Sequence, residues 1–437
     1  MRLTRFAAQI VFVVVVLAFA MPAQHQTFAQ SGILTVDVTD SQGTISPYVY
    51  GANYGPWAIV SMEMQNAAAE SGITHFRFPG GNWGDDNFIQ RSQLDLFMLQ
   101  AQNWGMVPSI SVNLENGTPE QAAELVRYAN VEKGWNILHW SIGNEPDLFP
   151  DGYTVEQYNE EWRAMALAMR AVDPNIILIG PEVSQFPDTV EGDTYNNVRR
   201  EWVRSFLEAN GDLVDIVAIH RYPFPLSLSS PPTTIEQLRD NAAAWDVLID
   251  NLRTVIREAV GSDMPMAVTE ASSHWNQPIG GEATADSHFH AVWWADVLGR
   301  FIRQRLEIVD YFAFSTFDTA YGLLARYAPR PTYYVYQLYQ YFGDELVASA
   351  STAEHVSITA ALTDDNILTL MITNMNDEPV SVPLTIDGAQ INGMVERMVL
   401  DPDRQAQALD PQEFTDGDAL ELTAYSVTLL RIPITPN

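Results

Sequence analysis

Residues 140–147 read Trp140-Ser141-Ile142-Gly143-Asn144-Glu145-Pro146-Asp147, an amide followed at once by a carboxylate just past the apolar stretch Ile137 to Ile142. A second apolar stretch, Met266-Ala267-Val268-Thr269, runs directly into Glu270. Short runs that are apolar on both faces are the pattern of buried parallel strands, and in a parallel barrel the chemistry sits at the carboxyl ends of those strands. Two glutamates in such places suit hydrolysis of a glycosidic bond. One protonates the departing oxygen, and the other attacks or activates water.

Outward from these two runs, apolar stretches alternate with segments of helical periodicity. The predicted strands are Val49 to Asn53, Thr74 to Phe78, Val107 to Val112, Ile137 to Ile142, Ile176 to Ile179, Val214 to His220, Met266 to Thr269 and Tyr311 to Phe314. Between them lie amphipathic segments such as Gln90 to Trp104, Pro119 to Glu132, Thr154 to Val172, Asn197 to Asn210, Ile235 to Val260 and Thr284 to Arg305. Thr118 before Pro119 reads as a helix start, and Asp173 before Pro174 as a stop. Strand and helix in strict alternation predict an α/β fold, a (β/α)8 TIM barrel.

The pattern changes after Pro331. Thr332 to Phe342 is aromatic-rich and reads as the last helix. Beyond it come the short alternating runs Val356 to Ala361, Ile367 to Thr373, Val380 to Ile386, Val395 to Leu400 and Leu420 to Leu430. Turn-forming clusters such as Thr363-Asp364-Asp365-Asn366 separate them, the pattern of a small C-terminal antiparallel β-sandwich. The early run Ile33 to Val38 can complete that sandwich. The expected organisation is a signal peptide over residues 1–29, an N-terminal strand joining the sandwich over 30–45, a catalytic barrel over 46–345 and an accessory sandwich over 346–437.

The signal peptide follows from Arg2 and Arg5, the apolar run Ile10 to Ala20, and small and polar residues leading to Ala29. The run is too short for a membrane span, so a secreted or extracytoplasmic protein with no integral span after cleavage is expected. The chain holds 23 Lys and Arg against 55 Asp and Glu, a formal net charge of -32. Such a surface repels phosphate backbones and excludes nucleic acid as a partner. There are no cysteines, which rules out disulfides and thiolate metal sites. His288 and His290 stand two apart at a helix start, the wrong spacing for one face. No metal and no cofactor are expected, and the partner is carbohydrate.

Several motifs resemble the clan A glycoside hydrolases, barrel enzymes whose acid/base and nucleophile lie on the fourth and seventh strands. Asn144-Glu145-Pro146 and Glu270 carry that likeness. Ile45-Ser46-Pro47-Tyr48-Val49-Tyr50-Gly51 and Phe76-Arg77-Phe78-Pro79-Gly80-Gly81-Asn82 are similar to family 51 arabinofuranosidases. Ile142 to Leu148 resembles family 79, the glucuronidase and heparanase group. Phe312 to Asp318, then Gly322-Leu323-Leu324 and Pro331-Thr332-Tyr333-Tyr334, resemble family 39 xylosidases and iduronidases.

The resemblance implies a retaining O-glycosidase with Glu145 as acid/base and Glu270 as nucleophile, their carboxyls about 5 to 5.5 Å apart. It implies that Arg77 and Tyr222 hold Glu270. Asn144 can hydrogen-bond the sugar 2-hydroxyl, and its own strand-to-loop turn is the structural alternative. His220 reads as a positioning residue, and Asn82 closes the family 51-like stretch. Among the aromatic residues near strand ends, Trp57, Trp83 and Trp275, the loop residues Trp83 and Trp275 are favoured as sugar platforms. A tryptophan common on the eighth strand of the clan is absent; Phe314 and Phe317 occupy the region. Arg221 and Arg326 stand near the mouth without an assigned partner. The contrasting reading is a catalytically inactive barrel that binds glycan in an extracellular matrix or envelope.

Overall fold

The computed structural model describes residues 32–150, 152–188, 194–276 and 279–437. The expected signal peptide lies outside them. Chain order gives strands β1 (Leu34–Thr44), β2 (Gly51–Asn53), β3 (His75–Phe78), β4 (Val107–Val112), β5 (His139–Ile142), β6 (Ile177–Val183), β7 (Ile216–Arg221), β8 (Met266–Ala271) and β9 (Ile308–Tyr311). Strands β2 to β9 close into a barrel in sequential order, with every pair parallel.

Local chemistry sets the helices that cover it. Three begin on the same device, a threonine that accepts from a glutamine N–H three residues on while that glutamine side chain accepts from the threonine N–H: Thr118 with Gln121, Thr154 with Gln157 and Thr234 with Gln237. Two end on a left-handed glycine, Gly105 at φ 74 and Gly261 at φ 83, where a side chain would be strained. Ile235 to Val260, expected as one helix, forms two, Ile235–Asn241 and Ala244–Val260. Pro119 to Glu132 is α-helical only to Val126 and continues as a wider turn over Arg127–Glu132. The eighth barrel strand runs Ile308–Tyr311 and not Tyr311 to Phe314. The apolar run continues past the sheet, because Phe314 is fully buried beyond it against Phe76 and Trp104.

The second unit comprises β10 (Glu345–Ser351), β11 (Val356–Leu362), β12 (Ile367–Asn374), β13 (Val380–Asp387), β14 (Ala389–Ile391), β15 (Val395–Asp401), β16 (Arg404–Gln412), β17 (Ala419–Leu422) and β18 (Ser426–Pro436). Its path runs β16-β15-β18-β12-β11-β10-β1-β13-β17, with β14 on β18. The sheet is mixed, since β1 pairs antiparallel with β10 but parallel with β13. Leu420 to Leu430 is two strands, parted where Tyr425 turns at φ 45. Residues of β13 and β17 share one apolar core with residues of β12 and β18, so the sheet curls over on itself. Its other face packs on the barrel: Leu346, Ala361, Met371 and Leu429 join the barrel core, and Arg303 donates to Ile358 O at 2.9 Å. His288 lies 2.7 Å from Tyr425 O at that junction, and His290 is buried 3.1 Å from Thr332 Oγ1. No helix among the described residues is long and apolar enough to cross a membrane.

Candidate active site

Glu145 stands just past the end of β5, on a turn that takes Gly143 to φ 82 and Glu145 itself to φ 45. A Cβ at position 143 would meet Leu114 Cδ2 at 2.9 Å, which explains the glycine. A left-handed non-glycine residue costs about 1–3 kcal/mol and persists where its surroundings hold it. Here the Glu145 N–H donates to Glu182 O at 3.1 Å, and the Asn144 N–H donates to Asp85 Oδ2 at 2.6 Å.

Glu270 lies on β8, 4 % exposed. Its Oε1 accepts from Arg77 Nη1 and from the Gly81 N–H, both at 2.8 Å, and its Oε2 accepts from the Tyr222 hydroxyl at 2.8 Å. Arg77 is wholly buried, and its fork holds the site together. Nη1 also donates to Asn53 Oδ1 at 3.0 Å, Nη2 donates to Asn144 Oδ1 at 2.9 Å and Glu182 Oε2 at 2.8 Å, and Nε donates to Glu182 Oε1 at 3.1 Å. Burial alone would lower the Arg77 pKa, but Glu182 and Glu270 outweigh it and the group is held above its ordinary value.

Environment drives the two glutamates apart. Burial, followed by the charge of Asp147, raises the Glu145 carboxyl from 4.5 to about 8, against the opposing effect of Arg77 and Arg199. It therefore carries a proton at neutral pH, while Glu270 faces a guanidinium, a backbone N–H and a hydroxyl. His220 has its pKa lowered by burial and is neutral. The Thr269 hydroxyl bonds Glu182, so it accepts from His220 Nε2–H at 3.1 Å. That leaves His220 Nδ1 as an acceptor, 3.2 Å from Glu145 Oε1, facing the proton of Glu145. Glu145, His220 and Glu270 each bring one ligand atom within 4.8 Å of the other two. The cluster has the reach of a cation site, but Arg77 already supplies positive charge against Glu270, and the three donors on Glu270 suit a carboxylate kept for attack.

Asn144 gives its Oδ1 to Arg77 and donates from Nδ2 to Asn82 Oδ1 at 2.8 Å. The second Nδ2 hydrogen is free in count for a sugar hydroxyl. A cleft of about 470 Å³ opens beside Gly81, lined among others by Trp57, Asn82, Trp83, Phe312, Phe317 and Tyr321. Trp57 stacks on Phe312 with ring centroids 5.5 Å apart, so Trp57 and Trp83 border this cleft. Trp275, favoured from sequence, does not line it; its indole bonds Pro225 O at 2.5 Å. Phe312 and Phe317 take the place expected of the eighth-strand aromatics, while Phe314 is core. Arg221 is also not without a partner: Asp188 holds it at 2.7 Å.

Glu182, Asp85, Asn53, Thr269, Phe312 and the Gly81 N–H join the site without having stood out in the sequence. Glu182 has a visible signal, a carboxylate three residues past the apolar run Ile176 to Ile179. Asp85 has none. It is 3 % exposed, accepts from the N–H groups of Leu114, Glu115 and Asn144, and has its pKa raised by burial to about 7.

With this geometry in place, a family model described as glycosyl hydrolases family 39 matches residues 123–370. This chain belongs to glycosyl hydrolase family 39. The matched stretch takes in barrel strands β5 to β9 and the first strands of the second unit. The family 39 chain is also 24 % identical to mouse (Mus musculus) heparanase over 386 residues, 77 % of this chain and 68 % of that protein. It is 27 % identical over 198 residues to an intracellular exo-α-(1→5)-L-arabinofuranosidase of Streptomyces lividans, a match covering 36 % of this chain and 29 % of that enzyme. An exo-α-(1→6)-L-arabinofuranosidase of Bifidobacterium longum is 27 % identical over 197 residues, 36 % of each chain. The match thus spans about a third of those two relatives. A family 51 arabinofuranosidase from Xanthomonas axonopodis pv. citri shares the fold at TM-score 0.74 and 15 % identity, over 92 % of this chain and all of the other. CelM2, a bifunctional glucanase-xylanase from a metagenome library, does so at 0.72 and 18 %, over 93 % of this chain and all of the other. Together these likenesses place the chain in clan A of the glycoside hydrolases.

Proposed function

We propose that this protein is a secreted retaining glycosidase that cleaves O-glycosidic bonds of a polysaccharide or its fragments through a glycosyl-enzyme intermediate. One observation carries the reading: Glu145 and Glu270, the latter held by three donors, each bring one carboxylate oxygen within 4.8 Å of the other, a proximity that suits attack by one while the other, its pKa pushed up by burial to about 8, gives the proton. Glu270 Oε2, with the single Tyr222 bond, is the freer oxygen for attack on the anomeric carbon. The Glu145 proton passes to the glycosidic oxygen as that bond breaks, leaving a glycosyl ester and a Glu145 carboxylate. Water then gives its proton to Glu145 and displaces the Glu270 carboxylate.

An uncharged sugar, such as a pentose or glucose unit, suits the cleft beside Glu270. Among the described residues its lining includes Asp318 and no lysine or arginine. Arg77 is spent on Glu182 and Glu270, Arg221 on Asp188, and Arg330 on the carbonyls of Thr319 and Gly322, while Arg326 lies over the rings of Phe317 and Tyr327 at 5.5 and 5.4 Å. Two relatives named as arabinofuranosidases agree with a neutral pentose. Export rests on Arg2, Arg5 and the apolar run to Ala20.

A screen of nitrophenyl glycosides and polysaccharides, with Glu270→Ala as control, tests the reaction. Proton NMR of the first-formed anomer tests retention; an inverted product overturns it. A glucuronide preferred over the matching neutral glycoside overturns the sugar assignment, and recovery of the protein only inside cells overturns export.

A further inference from the structure

Two pockets continue from the catalytic pair on the side of Glu145. The first, about 240 Å³, is bordered by Glu145, Asn144, Asp86 and Leu148 and shares Asn82 with the cleft beside Glu270. The second, about 390 Å³, is bordered by Tyr153, Asn116 and Gln157. Both are lined by Glu115, Phe149 and Pro150, so they adjoin, and only the first touches the acid; we read the two together as one trough leading away from it. The side on which an acid/base stands is the side on which the leaving group departs. A leaving group of one small sugar needs no second chamber.

Resting on the glycosidase reading above, we propose that this trough binds at least two consecutive sugar units of an uncharged leaving-group glycan, with Phe149 and Tyr153 as its stacking platform. The two rings lie 5.1 Å apart at a tilt of 52°, both half-buried. The Tyr153 hydroxyl is anchored on Glu161 Oε2 at 2.8 Å, which fixes its ring. Flat apolar ring faces of this kind are the surface a pyranose covers. The charge of the trough narrows the ligand further. Asp86 and Glu115 are exposed carboxylates on its wall, Asp85 lies beneath, and among the described residues no lysine or arginine lines either pocket. Uronate or sulfate groups on the leaving side meet like charge without a cation to answer it.

The test uses the sugar that the glycoside screen identifies, as its glycosyl fluoride and as linear oligosaccharides with one, two or three units on the leaving side. Fluoride occupies none of the trough. In the unaltered protein, kcat/KM is expected to rise about tenfold or more from one leaving-side unit to two. Phe149→Ala and Tyr153→Ala each lower the ratio of oligosaccharide to fluoride efficiency about tenfold, chiefly through KM. Glu115→Gln with Asp86→Asn raises the efficiency on an oligosaccharide whose leaving unit is a uronate. Efficiency that is flat with chain length, and equal ratios in both aromatic variants, overturn the trough while leaving fluoride hydrolysis to support the catalytic pair. No hydrolysis of any fluoride overturns the glycosidase reading itself, and the trough assignment with it.

Discussion

Arg77 and Glu182 form a two-pronged ion pair inside the barrel, Nε to Oε1 at 3.1 Å and Nη2 to Oε2 at 2.8 Å, with neither side chain more than 1 % exposed. The same guanidinium reaches Glu270 and Asn144, so a fully buried carboxylate helps to orient Glu270 and the Asn144 that borders the pocket of Glu145. Burial pushes the Glu182 carboxyl up, but Arg77 outweighs it and holds the group ionised. Glu182→Ala is expected to cost about 3–5 kcal/mol of stability, because it breaks a buried ion pair and leaves Arg77 Nε and one Nη2 hydrogen without an acceptor, with Glu270 as the remaining ion-pair partner. Glu182→Gln, which keeps the shape, is expected to lower kcat more than it lowers the melting temperature. Thermal denaturation read beside kcat checks both.

If Glu145 is the acid, as proposed, it sets the upper pH limit of activity. With the Glu145 carboxyl near pH 8, kcat/KM is expected to fall as pH rises through about 8, when the proton is lost. Asp147 raises that value and also neutralises Arg199, which lies 3.0 Å away and lowers it. Asp147→Asn removes the raising effect of the Asp147 charge, so the limit is expected to move down, by roughly one unit. A pH profile of kcat/KM for the two proteins is the measurement.

The same raised carboxyl carries a stability cost with a defined sign. Between 4.5 and about 8 the folded chain keeps a proton at Glu145 that the unfolded chain releases. Native stability from this group is therefore full below 4.5 and falls as pH rises toward 8. Glu145→Gln, neutral at every pH, is expected to melt higher than the unaltered protein at pH 8, with the gap closing toward pH 4.5. Melting curves across that range check it.

The two glutamates separate by leaving group. Glu145→Ala is expected to slow natural glycosides roughly 10²- to 10⁴-fold yet spare substrates whose phenolate leaves unprotonated, with azide restoring turnover. Glu270→Ala is expected to slow both kinds of substrate. Equal losses on both kinds in both variants would exchange or dissolve the roles.

Part of the site is legible in the sequence. Glu145 and Glu270 each follow an apolar run, and a strand end is a local property that a short window of residues shows. Glu182 carries the same mark without declaring its role, since an internal ion-pair partner and a catalytic acid look alike until Arg77 is seen between them. The sequence favours Trp275 over Trp57 as a platform because it lies in a loop after a strand; packing reverses this, for Trp57 stacks on Phe312 at the cleft while Trp275 turns to Pro225. Asp85 leaves no trace, as its partners are backbone N–H groups of residues 114, 115 and 144.

The amino-acid order by itself determined the alternation of eight strands with helices, the threonine–glutamine helix starts and the placing of two glutamates at strand ends, all set by contacts within a few residues. Tertiary structure decided the rest. The parallel pairing of β1 with β13, the shift of the last barrel strand to Ile308–Tyr311 and the proton on Glu145 depend on what distant segments bring alongside. A strand's period of two tells which face is apolar, but not which strand will lie beside it. A carboxyl's affinity for its proton is set by burial and by charges such as Asp147, Arg77 and Arg199, which only the closed barrel assembles.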